Sequence, residues 1–488
     1  MSTNDLANAS QSGAELAALL AQAVKGYDIR GLVGVHLNET IVEALGAAFV
    51  DVIAAAGGAP VMIGHDMRPS SPAFAAAFAR GAQRRGADVV LVGLCSTDLS
   101  YYASGQFQAP AAMFTASHNP AEYNGIKLSR PGAQALSLDT GLAAIRDLAS
   151  TYLVDGIPAV DQPGSYEERD LTAEYAAKLR SMVELSSSRP LKVVIDAGNG
   201  MGGLSVPAVL GTAAGLPALP LEIVPLYFEL DGTFPNHEAN PLDPKNLVDL
   251  QAAVLEHGAD LGIAFDGDAD RCFFVDERGE AVSPSAVSAI VAEREIARAR
   301  REHPDQPVTV LHNLISSRVV SERIAAAGAT AVRTPVGHSL IKAEMARTGA
   351  VFGGEHSAHY YYRDFWGADN GMLTAMHLLS ALGATAKPLS EFAAEYTPYA
   401  SSGEINSTVA DVPAALARVE ADLGDTVEID RLDGVTFTGK TPAGEPFWWA
   451  NVRASNTEPL LRLNVEAADV ATMERVRDRL LALIRAAG

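Results

Sequence analysis

Cysteine is nearly absent from this 488-residue chain: Cys95 and Cys272 are the only two, each inside an apolar run. Two buried thiols exclude a disulfide-stapled fold and suit a reducing compartment, so the cytoplasm is the expected location. Long hydrophobic runs are also missing, and no stretch reaches the roughly 20 apolar residues that span a bilayer. The opening MSTNDLANASQSG is polar and carries no basic segment of the kind that begins a secretory leader. The sequon-like triplets at Asn8, Asn38 and Asn406 are then without consequence. Positive charge is the third scarcity. Lys and Arg number 37 against 59 Asp and Glu, a formal net charge of -22. That balance argues against nucleic acid or an anionic membrane as a partner, since both reward a basic face. It also sharpens a local expectation: if the substrate is a phosphate, the few Arg and Lys must be gathered at one place.

What the chain does have is length and apolar content. With 48% hydrophobic residues, 488 positions are enough for several cores and too many for one. From Ala59 the order is strand (PVMIGHD), helix (SPAFAAAFARGAQRRG), strand (ADVVLVGL), the signature of a βαβ crossover and a parallel sheet. The phrase recurs at residues 191 to 211 followed by LEIVPLY, and at residues 308 to 328 followed by ATAVRTP. Each time a buried strand ends in a polar or glycine-rich loop, a helix follows, and a glycine closes it. Three such units predict three similar α/β domains. The stretch Val154 to Gly164 reads as a linker, and Tyr166 to Glu184 as a charged amphipathic helix. Beyond Ala384 to Pro388 the pattern changes. Short strands at Glu404 to Val409, Val427 to Ile429, Gly434 to Phe437, Phe447 to Val452 and Leu460 to Glu466 are flanked by helices Pro413 to Leu423 and Ala471 to Ala486. That predicts an α+β domain with a mixed or antiparallel sheet. The expected domains are 1–160, 161–271, 272–386 and 387–488.

Four segments carry chemistry. In TASHNPAEYNGIKL, residues 115 to 128, Ser117 leaves the apolar run Ala111 to Phe114, and Lys127 returns ten residues later. Open α/β sheets place their chemistry at such strand ends. A hydroxyl, an imidazole at His118 and an amine could share one small site there, although Ser and Asn beside Pro and Gly are also ordinary turn formers. AFDGDADRC, residues 264 to 272, follows the strand LGIAF with Asp266, Asp268 and Asp270 at alternate positions. Three carboxylates aimed at one point suit a hard cation, and oxygen ligands favour Mg²⁺. An EF-hand calcium loop would share this opening and Glu277, but Arg271 stands where its turn glycine belongs, and Phe273 and Phe274 continue a strand. A phosphatase with Asp266 as nucleophile remains open. GEHSAHYYYRDF, residues 354 to 365, places Glu355 and Ser357 at a third strand end, where they suit sugar hydroxyls; the alternative is an exposed aromatic loop. RASNTEPLLRL, residues 453 to 463, offers Arg453, Ser455, Asn456, Thr457 and Arg462 as an anion nest, or else a hairpin turn.

The serine string resembles the phosphoserine loop of the α-D-phosphohexomutase superfamily. The other segments resemble that family's metal, sugar and phosphate loops, in the family's order across nearly the whole chain. The resemblance implies three α/β domains with mixed, mainly parallel sheets and a C-terminal α+β domain around a central cleft. It also assigns roles. Ser117 is the phosphorylated nucleophile and, with Asp266, Asp268 and Asp270, holds Mg²⁺. Arg30, in KGYDIRG, is a phosphate ligand, and Arg271 faces the substrate. Glu355 and Ser357 hold the sugar's O3 and O4; Arg453, Ser455, Asn456 and Thr457, supported by Arg462, bind phosphate. His338, in PVGHSLIK, points into the cleft. Lys127, its pKa lowered by neighbouring cations, is the general acid/base, with His118 second. Many relatives carry a lysine in the first strand of the third domain where VLHNLIS offers Leu314, so contacts there are expected to differ.

The implied partners are hexose phosphates and a hexose 1,6-bisphosphate intermediate, handled by a monomer or homodimer. HSAHYYYRDFWGADNG looks more like bacterial phosphomannomutases than glucose- or glucosamine-specific relatives, which puts mannose first. Phosphoglucomutase, phosphoglucosamine mutase, a metal-dependent sugar-phosphate phosphatase and an inactive sugar-phosphate sensor are the alternatives.

Overall fold

The computed structural model describes residues 11–54, 58–440, 446–454 and 460–486, and the side chains of residues 54, 338 and 339 lie outside that description. The chain forms two compact units, one of Met1–Val282 with Ala358–Ser390 and one of Ser283–Ser357 with Glu391–Gly488. No helix of the described residues is long and apolar enough to cross a membrane.

The first unit begins with a seven-stranded sheet. Its strands are β1 (Ile29–Leu32), β2 (Val61–His65), β3 (Val89–Leu94), β4 (Ala111–Phe114), β5 (Tyr123–Arg130), β6 (Gln134–Ala135) and β7 (Tyr166–Glu168), ordered β1-β5-β4-β2-β3-β7 with β6 beside β5. β2 runs parallel to β3 and β4, and β3 to β7, whereas β5 is antiparallel to both β1 and β4. β4 is apolar throughout and fully buried, as expected of a strand covered on both faces. Helices Glu39–Phe49 and Ser71–Arg84 supply Phe49 and Phe78, whose rings pack 5.6 Å apart, and Phe78 meets Phe114 of β4 at the same distance. Two expectations change here. Tyr166–Glu168 is an edge strand, and the helix starts only at Thr172, after a turn in which the Asp170 carboxylate accepts the Thr172 N–H at 2.8 Å. Arg30 and Lys127 lie on paired strands instead of loops; β1 and β5 bring Arg30 opposite Gly125.

β8 (Leu191–Asp196), β9 (Leu221–Leu226), β10 (Leu261–Phe265), β11 (Cys272–Asp276) and β12 (Ala281–Val282) form the second sheet, in the order β12-β11-β10-β8-β9. β8, β9 and β10 are parallel, and β11 folds back antiparallel on β10 with Phe265 opposite Cys272. The aspartate loop is thus a hairpin connection, and the sheet runs on to Val282, past the boundary expected at 271.

In the second unit β13 (Thr309–Asn313) pairs in parallel with β14 (Thr330–Thr334) on one side and β15 (Phe352–Gly354) on the other. Leu314 directly follows β13 and is buried. β16 (Tyr360–Tyr362) and β17 (Ala368–Asp369) are an antiparallel pair of the first unit, and Tyr360, Tyr361 and Tyr362 are wholly buried, so the aromatic run is core and no exposed loop. The C-terminal sheet, again in the second unit, has β18 (Ala400–Thr408), β19 (Val427–Asp430), β20 (Val435–Gly439), β21 (Trp448–Ala454) and β22 (Leu460–Ala467) in the order β18-β22-β21-β20-β19. Every pairing in it is antiparallel. Helices Val412–Leu423 and Val470–Arg485 bury Val419, Leu423, Val476 and Leu480 in a core with Phe437, Leu461 and Leu463. Mixed, mainly parallel α/β sheets followed by an α+β domain is the architecture expected from the sequence.

Candidate active site

Ser117 is three residues beyond the end of β4 and is buried. Its backbone is left-handed at φ 49°, an unfavourable region for a side chain with a Cβ, and its N–H donates to Thr115 Oγ1 at 2.9 Å. The hydroxyl donates to Asp266 Oδ2 at 2.8 Å and lies 3.2 Å from His118 Nδ1. The close approach of the two loops depends on Gly267: a Cβ there would stand 2.4 Å from Ser117 O, so no other residue fits without displacing the serine.

The loop between β10 and β11 places Asp266, Asp268 and Asp270 with no exposure and with ligand oxygens within 4.8 Å of one another. Lys127 reaches across from β5 and donates to Asp268 Oδ2 at 2.7 Å and Asp270 Oδ2 at 2.5 Å. Arg271 Nε donates to Asp266 Oδ2 at 3.0 Å. Thr97, at the start of helix Thr97–Phe107, donates its hydroxyl to Asp268 Oδ2 at 2.6 Å and its N–H to Asp268 O at 3.0 Å. Two carboxylate oxygens, Asp268 Oδ1 and Asp270 Oδ1, are buried without a hydrogen-bond partner among the described residues. Burial and the neighbouring Asp268 charge push the Asp270 carboxyl up to about 7. Crowded acceptor oxygens with nothing to accept from fit a hard cation, and the donor set is all oxygen.

The cationic side differs from expectation in one respect. Burial pulls the Lys127 ammonium down, but Asp268 and Asp270 outweigh burial and hold it well above the usual lysine range. Its nearest charges are carboxylates, so the expected lowering by neighbouring cations does not occur. His118 goes the other way: burial first, then the Arg271 and Arg30 charges, hold its imidazole well below the usual range and therefore neutral. Arg30 donates to Asn119 Oδ1 at 2.6 Å and to Asp28 Oδ2 at 2.7 Å, which ties β1 to the serine loop.

Three neighbours of this site were not singled out in the sequence. Thr97 is one. His359 stands with Nε2 4.0 Å from Asp270 Oδ1, and burial holds it neutral at about 4. Arg68, just past β2 in HDMRPSS, donates to four carbonyls of the serine loop. Its place after a parallel strand was the available signal.

The second unit gathers a different set. Glu355, next after β15, is buried, and Gly337 N–H donates to its Oε1 at 3.4 Å. A Cβ at Gly354 would meet Ser288 Oγ at 2.4 Å, which is why a glycine directly precedes the glutamate. Ser357 is half-buried in the same loop. Arg453 and Arg462 face each other across β21 and β22 and share one carboxylate: Glu404 takes Arg453 Nη2 at 2.8 Å and Arg462 Nη1 at 3.5 Å. Nε of each arginine is buried without a hydrogen-bond partner among the described residues. Ser455, Asn456 and Thr457, and the side chain of His338, lie outside the described residues.

The four segments match the Phosphoglucomutase/phosphomannomutase family models in full series: alpha/beta/alpha domains I, II and III over residues 21–152, 173–279 and 283–399, and the C-terminal domain over residues 404–483. The chain belongs to this family. It is 39% identical to a protein of Xanthomonas campestris pv. campestris named phosphohexose mutases, over 95% of this chain and 99% of that one. A phosphomannomutase of Salmonella typhimurium is 37% identical over 94% of this chain and 98% of its own length. Among solved structures, a phosphoglucomutase/phosphomannomutase family protein from Burkholderia thailandensis superposes with a TM-score of 0.82 at 29% identity, covering 98% of this chain and 99% of that one. As a phosphohexomutase the chain is an isomerase, and its buried aspartate triad is able to hold the metal ion on which the family depends.

Proposed function

We propose that the enzyme interconverts hexose 6-phosphate and hexose 1-phosphate, mannose phosphates first, through phosphorylated Ser117 and a 1,6-bisphosphate intermediate. The observation that carries this is the Ser117 hydroxyl 2.8 Å from Asp266 beside two buried carboxylate oxygens that lack partners. A Mg²⁺ ion on Asp266, Asp268, Asp270 and the Ser117 oxygen would neutralise charge that develops during in-line phosphoryl transfer. The P–O bond to Ser117 breaks as the bond to the sugar oxygen forms, and the proton of the sugar hydroxyl passes to a base. His118, neutral and beside Ser117, is suited to accept it; Lys127, held as the ammonium, is suited to donate one in the return step. Arg271 and Arg30 add positive charge around the transferred group. The bisphosphate then presents its other phosphoryl to Ser117, and the isomer leaves.

In the second unit Glu355 and Ser357 are proposed to take vicinal sugar hydroxyls, and Arg453 and Arg462, with residues 455 to 457, the phosphate not in transfer. Two arginines directly opposed on neighbouring strands repel unless an anion sits with them, and Glu404 supplies only one negative charge. Asp266 as the nucleophile of a phosphatase is disfavoured: its Oδ2 already accepts from Ser117 and Arg271, and its Oδ1 from Arg271 N–H at 3.2 Å. Mannose preference rests on the sugar-loop sequence and on relatives named phosphomannomutase. We place the enzyme in the cytoplasm, as a monomer or homodimer, with four domains, the first two ending with their sheets at Glu168 and Val282 instead of at 160 and 271. One coupled assay with mannose 1-phosphate, glucose 1-phosphate and glucosamine 1-phosphate tests the substrate, and mass spectrometry of the Ser117 peptide tests the carrier. Turnover of glucosamine 1-phosphate alone would overturn the mannose assignment; hydroxylamine-labile acyl phosphate instead of acid-stable phosphoserine would restore Asp266.

A further inference from the structure

Arg68 is among the largest fully buried side chains of the molecule, and what surrounds it is backbone. Nη1 donates to Pro120 O at 2.8 Å and Tyr123 O at 2.9 Å, and Nη2 donates to Ser117 O at 2.9 Å and Asn119 O at 2.7 Å. The guanidinium therefore spans the serine loop from its nucleophile to the first residue of β5. Its third nitrogen, Nε, faces Asp66 Oδ2 at 3.3 Å. Asp66 is in turn fixed by the Ser71 hydroxyl at 2.6 Å and by the Arg68 N–H at 3.0 Å. The Phe234 ring lies under the guanidinium carbon at 5.1 Å and closes the site from the other side. A guanidinium is a weakly hydrated cation that can be buried this way, and spread over four carbonyls it pairs acceptors that would otherwise be buried unpaired.

We propose that Arg68, aimed by Asp66, is a positioning residue for the phosphoryl-carrying serine: by holding the loop's carbonyls it keeps Ser117 in its left-handed backbone and its oxygen in line with the aspartate site. The proposal rests on Ser117 being the carrier. Ser117 at φ 49° has no helix or strand to hold it, and its own carbonyl is one of the four on Arg68. The Ser117 carbonyl belongs to the rigid peptide plane that follows it, so holding that carbonyl restrains ψ at residue 117 and with it the direction in which Cβ leaves the main chain. Lysine cannot replace this grip, since an ammonium has no planar fork to meet acceptors on two sides.

The test compares wild type, Arg68→Lys, Arg68→Gly, Asp66→Asn and a core control, Phe78→Leu, with glucose 1-phosphate and mannose 1-phosphate. Arg68→Lys should lower kcat by about 100-fold, the loss expected of a nucleophile displaced by about 1 Å, and leave KM unchanged. Added guanidinium below denaturing concentration should restore part of the kcat of Arg68→Gly, while methylammonium should not. Phe78→Leu at an equal loss of melting temperature should keep its kcat. Wild-type kcat in Arg68→Lys, or an equal fall in the control, would overturn the proposal. If Arg68→Lys does not fold, Asp66→Asn decides: it keeps the shape and removes the charge facing Nε, so kcat should fall about tenfold at constant KM, and no fall overturns the proposal. Ser117→Ala separates the two readings. Full activity there defeats the phosphoserine itself, whereas an inactive Ser117→Ala beside a fully active Arg68→Lys defeats only the role of Arg68.

Discussion

The serine and aspartate loops of the first unit and the arginine pair of the second have opposite charge deficits. Around Ser117, three carboxylates at Asp266, Asp268 and Asp270 meet two cations in direct contact, Lys127 and Arg271, a formal surplus of one negative charge; burial and that surplus raise the Asp270 carboxyl to about 7. Around Glu404, two arginines meet one carboxylate, which leaves a surplus of one positive charge. The first set is buried and every oxygen but two is engaged; the second is more exposed, with Arg462 side chain 30% accessible. A buried negative surplus selects a cation and stays rigid, and an accessible positive surplus receives and releases an anion. The sites proposed for chemistry and for recognition thus have different electrostatic designs in one chain of strongly negative net charge.

The comparison is broken most severely at the carrier. Ser117→Ala should lower turnover by about four orders of magnitude or more, read in the coupled assay with either hexose 1-phosphate, because no other group accepts the phosphoryl. Near-normal turnover would remove the serine from the reaction. The recognition side answers with a smaller, different effect. Arg453→Ala loses one charge-assisted contact of roughly 1.5 to 3 kcal/mol, so KM should rise about ten- to a hundredfold. It should also release more labelled bisphosphate per turnover from ³²P-enzyme, and unchanged KM with unchanged label loss would leave Arg453 a residue of β21 with no part in binding phosphate. On the cation side, Thr97→Val keeps the shape of the residue and removes the hydroxyl that orients Asp268. The Mg²⁺ concentration for half-maximal activity should rise about ten- to a hundredfold while activity at saturating metal is largely retained. Full activity of EDTA-treated enzyme without added metal would sink the metal assignment itself. The smallest effect sharpens the contrast: Glu404→Gln keeps a hydrogen bond to Arg453 and removes the partial neutralisation. Affinity for hexose phosphate should then improve, by about fivefold at most, and a rise in KM would mean that Glu404 orders the pair more than it masks it.

The candidate site is most legible in the sequence where its residues stand at a strand end. Ser117, Asp266 and Glu355 each follow an apolar run, and each is found within three residues of β4, β10 or β15. Motif spacing puts Lys127 in one site with Ser117; the structure holds it on β5 opposite Met113, where it donates to Asp268 and Asp270. What could not be read is what another part of the chain decides. Thr97 meets Asp268 from 171 positions away, and Arg68 grips a loop about 50 positions downstream. Neither residue has a local pattern that points to its partner. Charge environment was missed for the same reason: Lys127 was expected among cations, but β5 sets it against two carboxylates. The buried tyrosines of β16 were equally ambiguous, since an aromatic run suits a core strand as well as an open loop.

The left-handed backbone at residue 117 narrows which amino acid can do this work. Threonine carries phosphate as well as serine does, and on hydroxyl chemistry alone the two would be interchangeable. A β-branched side chain, however, is a steric outlier at positive φ, where even an unbranched one is unfavourable. The position proposed for the carrier is thus closed to the nearest chemical substitute by the shape of the main chain, and a shift from serine to threonine would require rebuilding the loop first.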